Sequence, residues 1–453
     1  MKQKEEKGIT DKMISMPEVN PQAAGIDVGS RSHYVCVSQD NVKEFPSHTA
    51  GLHDIARHLL LYKVKTVAME STGFYWQQLF ILLQDYGFAV TLVNARHLKN
   101  VKGHKTDVVD SQWLQLMHSI GALPASFQPE LFTKELRQYT RHRRSMIETS
   151  SRFISKMNKS LVLMNIQLKT VLSDLTGESG LKIIEAIVQG ERNPVQLEKL
   201  VGKRVKATRI EIQNALTGDW RPEHLFELSE NFEFYKFTWE KIAETDKCIE
   251  CLLEEWQSIN GDMAQKEEYA KKKHKPRQKN EPKFDVKSFA YQMTNGVDLS
   301  EIDGVGTNTI LTLMSEVGFN LKESFKTGRH FASWLGFTPN HRITGGKKLS
   351  SKTEKVKGHL AYAIRQAANT AGNSKGRMGD FFRRLAFRKG RNVAIIATAR
   401  KIAVIIYKML ETGQGYSYDY SKEEKKRIKQ HQIKKILRNM GQFDIKPEEL
   451  NIA

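Results

Sequence analysis

Cysteine, acidic residues and long apolar runs are all in short supply in this chain, and each shortage excludes something. Cysteine occurs three times in 453 residues, as Cys36, Cys248 and Cys251. So odd and sparse a set argues against a disulfide scaffold and for a reducing compartment. Cys248 and Cys251 form a lone C-x-x-C within a helical pattern. Zinc would need two further ligands at compatible spacing, so ordinary helix positions are the better reading. No apolar stretch approaches the roughly 20 residues needed to span a bilayer. The opening residues, Met1 to Lys7, are polar and unlike a secretory signal. These absences point to a cytoplasmic protein with no membrane partner.

The shortage of acids is relative: 51 Asp and Glu stand against 71 Lys and Arg, a formal charge of +20 and a pI near 9.6. A merely soluble basic protein would account for this, but a charge so large more often answers a polyanionic partner, usually nucleic acid. Hydrophobic residues make up 40% of the chain, enough for two or more domains with real cores.

Residues 1–20 lack apolar periodicity and read as a flexible arm. Ala24 to Val28 and Tyr34 to Val37 read as strands joined by a Gly-Ser turn, followed by a helix at Leu52 to Tyr62 and a short buried strand at Lys65 to Met69. Phe74 to Tyr86 then reads as helix, Phe88 to Val93 as strand and Asp107 to His118 as helix. This alternation predicts an α/β domain over 21–129. Ile147, Ile154, Leu161 and Leu168 recur every seven residues, with Met157, Met164 and Val171 three further on, so 130–263 is expected to be a helical, coiled-coil region. Ile242, Ile249, Leu252, Trp256 and Ile259 form a second seam. Dimerisation and packing within one chain explain these seams equally well. Residues 264–286 read as a lysine-rich linker, 287–420 as a second compact, mainly α domain, and 421–453 as a basic helical tail.

Four acids in the first domain stand out by position. Asp27 lies on the first strand, with Gly29 after it to permit a close backbone or phosphate approach. Glu70 ends a buried strand, where an unpaired carboxylate is costly. Asp107 and Asp110 share one helix face. Singly, Asp107 reads as an N-cap, Asp110 as a surface residue and Asp27 as a turn former. Together they form an acidic cluster in a ribonuclease H-like arrangement, whose hard oxygens suit Mg²⁺ or Mn²⁺ facing a phosphodiester.

In the second domain, Ile302-Asp303-Gly304-Val305-Gly306 ahead of an apolar helix resembles a helix-hairpin-helix, able to bind phosphate through backbone N–H groups. Arg342 to Lys352 is a glycine- and lysine-rich loop with hydroxyls beside cations, able to cradle phosphate or present a nucleophile. Phe381 to Arg391 interleaves aromatics with arginines, as surfaces that hold backbone and stack bases do.

At these residues the sequence resembles the DEDD-type insertion-sequence transposases, the bridge-RNA-guided recombinases, and within them the IS-eleven-eleven-like subgroup. GIDVGS, AMESTG and KTDVVDS carry the likeness in the first domain. IDGVG, WLGFTP, ITGGKKLSSKT, FFRRLAFRKG and ATARKIAVIIYKML carry it in the second. The resemblance implies a RuvC-like first domain with Asp27, Glu70, Asp107 and Asp110 as a metal-binding tetrad. It implies a hydroxyl nucleophile from the second domain, a composite site across the protomers of a dimer or tetramer, and an element-encoded non-coding RNA that pairs with DNA. A bacterial, nucleoid-associated protein is expected. Where the family has Ser-Gly, this chain has Thr344-Gly345. Thr344 is the positional equivalent; Ser350 or Ser351 as substitute, or an impaired copy, are the alternatives.

Overall fold

The structure, a computed structural model, describes residues 17–94, 106–261, 269, 279–354, 356–418 and 421–442. Most of the expected N-terminal arm, residues 264–278 of the expected linker (Tyr269 apart) and residues 443–453 of the tail lie outside the described residues. The chain divides into two compact units, 1–128 and 129–453.

The first unit is built on a five-stranded sheet in the order β3-β2-β1-β4-β5. Strand β1 (Ala23–Val28) pairs antiparallel with β2 (Ser32–Ser38), which pairs antiparallel with β3 (Asn41–Pro46). Helix α1 (Thr49–Leu61) leads to β4 (Thr66–Glu70), which runs parallel to β1. Helix α2 (Trp76–Asp85) leads to β5 (Ala89–Val93), parallel to β4. Alternation along β1 sends Ala24, Ile26 and Val28 to one face. There they meet Val35, Val67, Met69 and Leu92 from the other strands and Ile55, Leu59, Leu79 and Leu83 from α1 and α2, forming the core. Helix α3 (Asp107–Ser119) packs on the opposite face.

That contact depends on Gly25. A Cβ there would lie 2.3 Å from the backbone nitrogen of Gln115 and 2.5 Å from the carbonyl oxygen of Ser111, so only glycine lets α3 settle onto β1. Strand β3 was not anticipated from sequence. Its residues, Asn-Val-Lys-Glu-Phe-Pro, bury Phe45 alone, so an edge strand of this kind carries too little alternation to be recognised.

The second unit begins with two long helices, α4 (Leu131–Leu163) and, after four shorter ones, α9 (Pro222–Asn260). They pack against each other, and Phe132 meets Trp256, Arg143 meets Asp246 and Phe153 stacks on Phe234, so they run antiparallel. The two seams therefore face one another within one chain. The seven-residue line actually buried along α4 is Leu136, Arg143, Ser150 and Met157, whereas Ile147 and Ile154 are half-buried. On α9 the buried positions include Ile242, Ile249 and Leu253, while Ile259 is exposed. The expected run through Leu168 and Val171 breaks because α4 stops at Leu163, where Asn165 turns left-handed at φ 57°. The shorter helices α5 (Leu168–Val171), α6 (Glu178–Val188), α7 (Pro194–Glu198) and α8 (Arg209–Ala215) cap this end of the pair. Their Leu168, Ile183, Ile184, Ile187, Leu197 and Ile212 share a core with Met157, Leu161 and Phe232.

Downstream come α10 (Val286–Met293), a 3-10 turn at Leu299–Glu301, α11 (Thr307–Val317), α12 (Leu321–Ser324) and α13 (Gly328–Trp334). A β-hairpin of β6 (Arg342–Thr344) and β7 (Lys347–Ser350) follows. The unit continues with α14 (His359–Ala371), α15 (Arg377–Lys389), α16 (Arg391–Thr412) and α17 (Lys422–Gln442). Arg137 of α4 donates to the carbonyls of Ser315 and Glu316, and Arg141 grips the Glu316 carboxylate with two hydrogen bonds of 2.8 and 2.7 Å, fixing the C-terminal turn of α11 to α4. Among the described residues, no helix is long and apolar enough to cross a membrane.

Two stability predictions follow from these contacts. Gly25→Ala is expected to cost about 1–3 kcal/mol, because the added methyl must push α3 off the sheet; urea unfolding followed by circular dichroism measures it. The Arg143 and Asp246 side chains are only 4% and 7% exposed and lie 2.5 Å apart. Asp246→Ala, which strands a buried guanidinium, is expected to cost about 3–5 kcal/mol, and the paired change Arg143→Met with Asp246→Leu to recover most of that in the same assay.

Candidate active site

The sheet's register assembles the acidic site. Ile26 lies opposite Met69 in the parallel pairing of β1 and β4, so one residue further on Asp27 comes beside Glu70 at the carboxyl ends of both strands. On the other side Asp27 pairs with Tyr34, and Tyr34 pairs with Glu44. Glu44, Tyr34, Asp27 and Glu70 thus form one cross-strand row. It lies on the face that carries Gly25, against which α3 rests.

The placement of α3 brings the remaining two acids to this row. Gly25 sits beneath Ser111 to Gln115. Two strand residues advance about 6–7 Å and four helical residues about 6 Å, so the N-terminal turn of α3 comes level with Asp27. Asp107 and Asp110 occupy that turn. The N-cap is Thr106, whose side chain accepts from the Val109 N–H; Asp107, read singly as an N-cap, is instead the first helical residue. Both carboxylates benefit from the positive end of the helix dipole, which offsets part of their mutual repulsion.

The electrostatics report the convergence directly. The Asp27 carboxyl is raised from 3.8 to about 6, first by burial and then by the charges of Asp107, Asp110 and Glu70. Glu70 accepts a hydrogen bond of 2.8 Å from the Thr72 hydroxyl, and the Ser71 N–H donates to the Val93 carbonyl, holding the segment after β4. Burial raises the Tyr34 hydroxyl as well, helped by Glu44 and Asp107. Tyr34 and Glu44 were not singled out from sequence; alternation on the first two strands could have offered Tyr34, and Glu44 only once β3 was known. Of the two close approaches expected at Gly29, the structure shows that of a backbone. A Cβ there would meet the Ser32 carbonyl oxygen at 2.5 Å, so the glycine serves its own turn.

The donor set suits a hard divalent cation such as Mg²⁺ or Mn²⁺: all oxygen, with four like charges whose repulsion a cation would relieve. As the side chains stand, no three His, Cys, Asp or Glu groups among the described residues form a finished ligand set. Asp107 is exposed and Asp110 half-exposed, so both have room to turn toward Asp27. Cys36, on the same sheet face, is buried and its thiol is pushed up to about 12, leaving it an inert apolar neighbour.

In the second unit, Thr344 closes β6 beside Lys347 on β7. The two residues between them, Gly345 and Gly346, take φ of 54° and 73°, the mirror-image turn that joins strands tightly. The segment read as a loop is therefore a two-stranded ribbon. Thr344 and Ser351 are exposed and Ser350 half-exposed. Ile343 and Leu349 show 63% and 70% of their surface to solvent, unusual for a ribbon left to itself. In the IDGVG segment, Gly304, at φ 84°, lies against α14, where a Cβ would come 2.1 Å from the Ala367 carbonyl oxygen. The helix ahead of that turn is a single 3-10 turn, shorter than the helix-hairpin-helix likeness implies.

The raised Asp27 carboxyl has a pH signature. Its folded-state value lies above that of an unstructured aspartate, so its contribution to stability is present in full below about pH 4 and is lost as pH rises through about 6. Without metal, the melting temperature of wild type relative to Asp27→Asn is expected to fall across that window. Mg²⁺ or Mn²⁺ is expected to raise the wild-type melting temperature above pH 6 and to leave Asp27→Asn unmoved. Differential scanning fluorimetry across pH checks both.

Two family models match the chain. One, a DEDD transposase model, covers residues 24–166; the other, described as transposase IS116/IS110/IS902 family, covers 298–383. Together they take in just over half of the chain. A protein of Pseudomonas aeruginosa named as a family 20 transposase is 26% identical over 123 residues, 26% of this chain and 36% of that protein. A protein of Sinorhizobium fredii named as transposase y4pF/y4sB is 30% identical over 125 residues, 26% of this chain and 32% of that protein. The match thus spans about a third of the length of each of these relatives. Two models matched in sequence order, with Asp27, Glu70, Asp107 and Asp110 all inside the first, place the chain among the IS110-family transposases.

Proposed function

We propose that this chain is the transposase of an insertion sequence, cutting and exchanging DNA strands at a metal-dependent site in a ribonuclease H-like first unit. The observation that carries the reading is the placing of Asp27 beside Glu70 by strand register and near Asp107 and Asp110, where burial first and then those charges raise its carboxyl. A fold concentrates like charges at a strand end at a cost, and a functional cation is the compensation that such clusters serve. The strand order, with one acid on β1 and another on β4, supports the ribonuclease H-like assignment. The charge of +20 supports a DNA partner.

Asp27 and Glu70, fixed by the sheet, and Asp107 and Asp110, on the first turn of α3, would hold one or two divalent ions. When bound, such an ion neutralises the phosphate and stabilises the departing oxygen. Thr344 is the proposed nucleophile. Its Oγ1 forms a bond to phosphorus, the bond from phosphorus to the departing strand's sugar oxygen breaks, and the threonine proton passes to solvent. Lys347, paired with Thr344 across the ribbon, favours the approach of the phosphate. An element-encoded non-coding RNA as guide, a homo-oligomer as the acting form and a cytoplasmic, nucleoid-associated setting complete the proposal.

The test is a search for a denaturation-resistant protein–DNA adduct in the presence of Mg²⁺, target DNA and RNA transcribed from the element's flank. Wild type and Thr344→Ser are expected to form the adduct, and Thr344→Ala to lose it. Asp27→Asn is expected to reduce cleavage by at least about 100-fold. Ser350→Ala and Ser351→Ala are expected to leave the adduct intact. Cleavage without any adduct would replace this mechanism with hydrolysis by a junction-resolving nuclease. DNA binding with no cleavage under any of these conditions would reduce the chain to a binder.

A further inference from the structure

The C-terminal half of α15 carries a surface that the proposed chemistry leaves unused. From Phe381 to Leu410 the sequence contains no Asp or Glu, yet it holds Arg383, Arg384, Arg388, Lys389, Arg391, Arg400, Lys401 and Lys408. Several of these are engaged. Arg383 donates to the carbonyls of Gly372 and Ser374 and to the Asp380 carboxylate, tying down the start of the helix. Arg391 donates to the Asn369 side chain, and Lys401 lies 4.2 Å above the Phe381 ring. Two of the helix's aromatics are accounted for in the same way: Phe381 by Lys401, and Phe382 by burial against Gly372.

Phe387 differs. It is 93% exposed, near the end of α15 and just before the Gly390 turn into α16. Arg384, three residues earlier, lies on its face of the helix, and exposed Arg388 and Lys389 follow it directly in the chain. A single exposed apolar side chain is ordinary. A phenyl ring set beside cations, in a stretch of thirty residues without an acid, is not, because a protein partner able to cover the ring would also need acids for those charges. One chemical group offers both features at once: a nucleotide, with a flat apolar base attached to a phosphate.

We propose that Phe387 is a stacking platform for an unpaired base of single-stranded nucleic acid, with Arg384, Arg388 and Lys389 holding the adjoining phosphates. The site takes the π-face common to all bases, so it is tolerant of sequence and positions a strand without selecting it. The proposal rests on the reading that this chain handles nucleic acid and assigns one residue that touches it.

The experiment uses the full chain with oligonucleotides that carry the fluorescent base 2-aminopurine, one single-stranded DNA and one single-stranded RNA of the same sequence. Binding by wild type is expected to change the emission. Phe387→Ala is expected to abolish that change and weaken binding by about 5- to 100-fold in whichever arm is the true ligand. Phe387→Trp should restore both readouts and Phe387→Leu neither, which separates stacking from general apolar contact. The dependence of affinity on salt should be unchanged in Phe387→Ala and shallower in Arg384→Gln with Arg388→Gln. Equal binding and emission by wild type and Phe387→Ala would overturn the platform while leaving nucleic-acid binding in place. So would a loss in Phe387→Ala of self-association alone, measured by sedimentation. Failure of wild type to bind either oligonucleotide would overturn the platform and the underlying reading together.

Discussion

Repulsion among four carboxylates is the constraint around which the first unit is arranged. Asp27 and Glu70 become neighbours because β1 and β4 run parallel in a register that ends both strands on an acid. Asp107 and Asp110 reach them because α3 lies directly on β1, which the absence of a side chain at Gly25 permits. The apolar face beneath, with Ile26, Met69 and Leu92 packed on α1 and α2, holds the strand ends in place against that repulsion. Burial first, and then that repulsion, raises the Asp27 carboxyl to about 6. A carboxyl that holds its proton up to about pH 6 in such company is one that a divalent cation would stabilise in its charged form, which links the packing of a helix on a glycine to the electrostatics of the proposed site.

The second unit solves a different problem, holding two long helices together along a partly polar seam. Arg143 and Ser150 interrupt the apolar line of α4, and Asp246 on α9 answers the arginine. Such a pair adds little net stability over an apolar one, but it penalises any register in which the guanidinium would be buried without its partner. Just before that arginine on α4, Arg137 and Arg141 fasten the last turn of α11. Short helices and the ribbon bearing Thr344 are mounted around this frame, leaving hydroxyls and cations on the surface.

Much of the first unit was readable from residue order. Strands β1, β2, β4 and β5 and helices α1, α2 and α3 announce themselves through apolar periodicity. The acids stand out because a charge at the end of an apolar strand needs a reason. Strand β3 did not announce itself, because an edge strand that buries only Phe45 lacks a pattern, and Glu44, with its pairing to Tyr34, was hidden with it. In the second unit Met157, Leu161 and Met164 of the visible heptads are buried, whereas Ile147 and Ile154 are half-buried. The buried line passes through Arg143 and Ser150, polar residues that a search for apolar periodicity passes over.

The sequence by itself determined most of the strands and helices of the first unit, where acids, hydroxyls and cations fall along the chain, and that two motif sets occur in order. Those properties depend on side-chain preferences a few residues apart, so they can be read locally. Only the tertiary structure decided that β1 and β4 share a register ending in Asp27 and Glu70, that α4 and α9 satisfy each other's seams, and that Phe387 stays in solvent while Phe382 is buried. Each of these depends on contacts between residues far apart in the chain, where the choice of partner follows from how shapes and charges fit once the elements have packed.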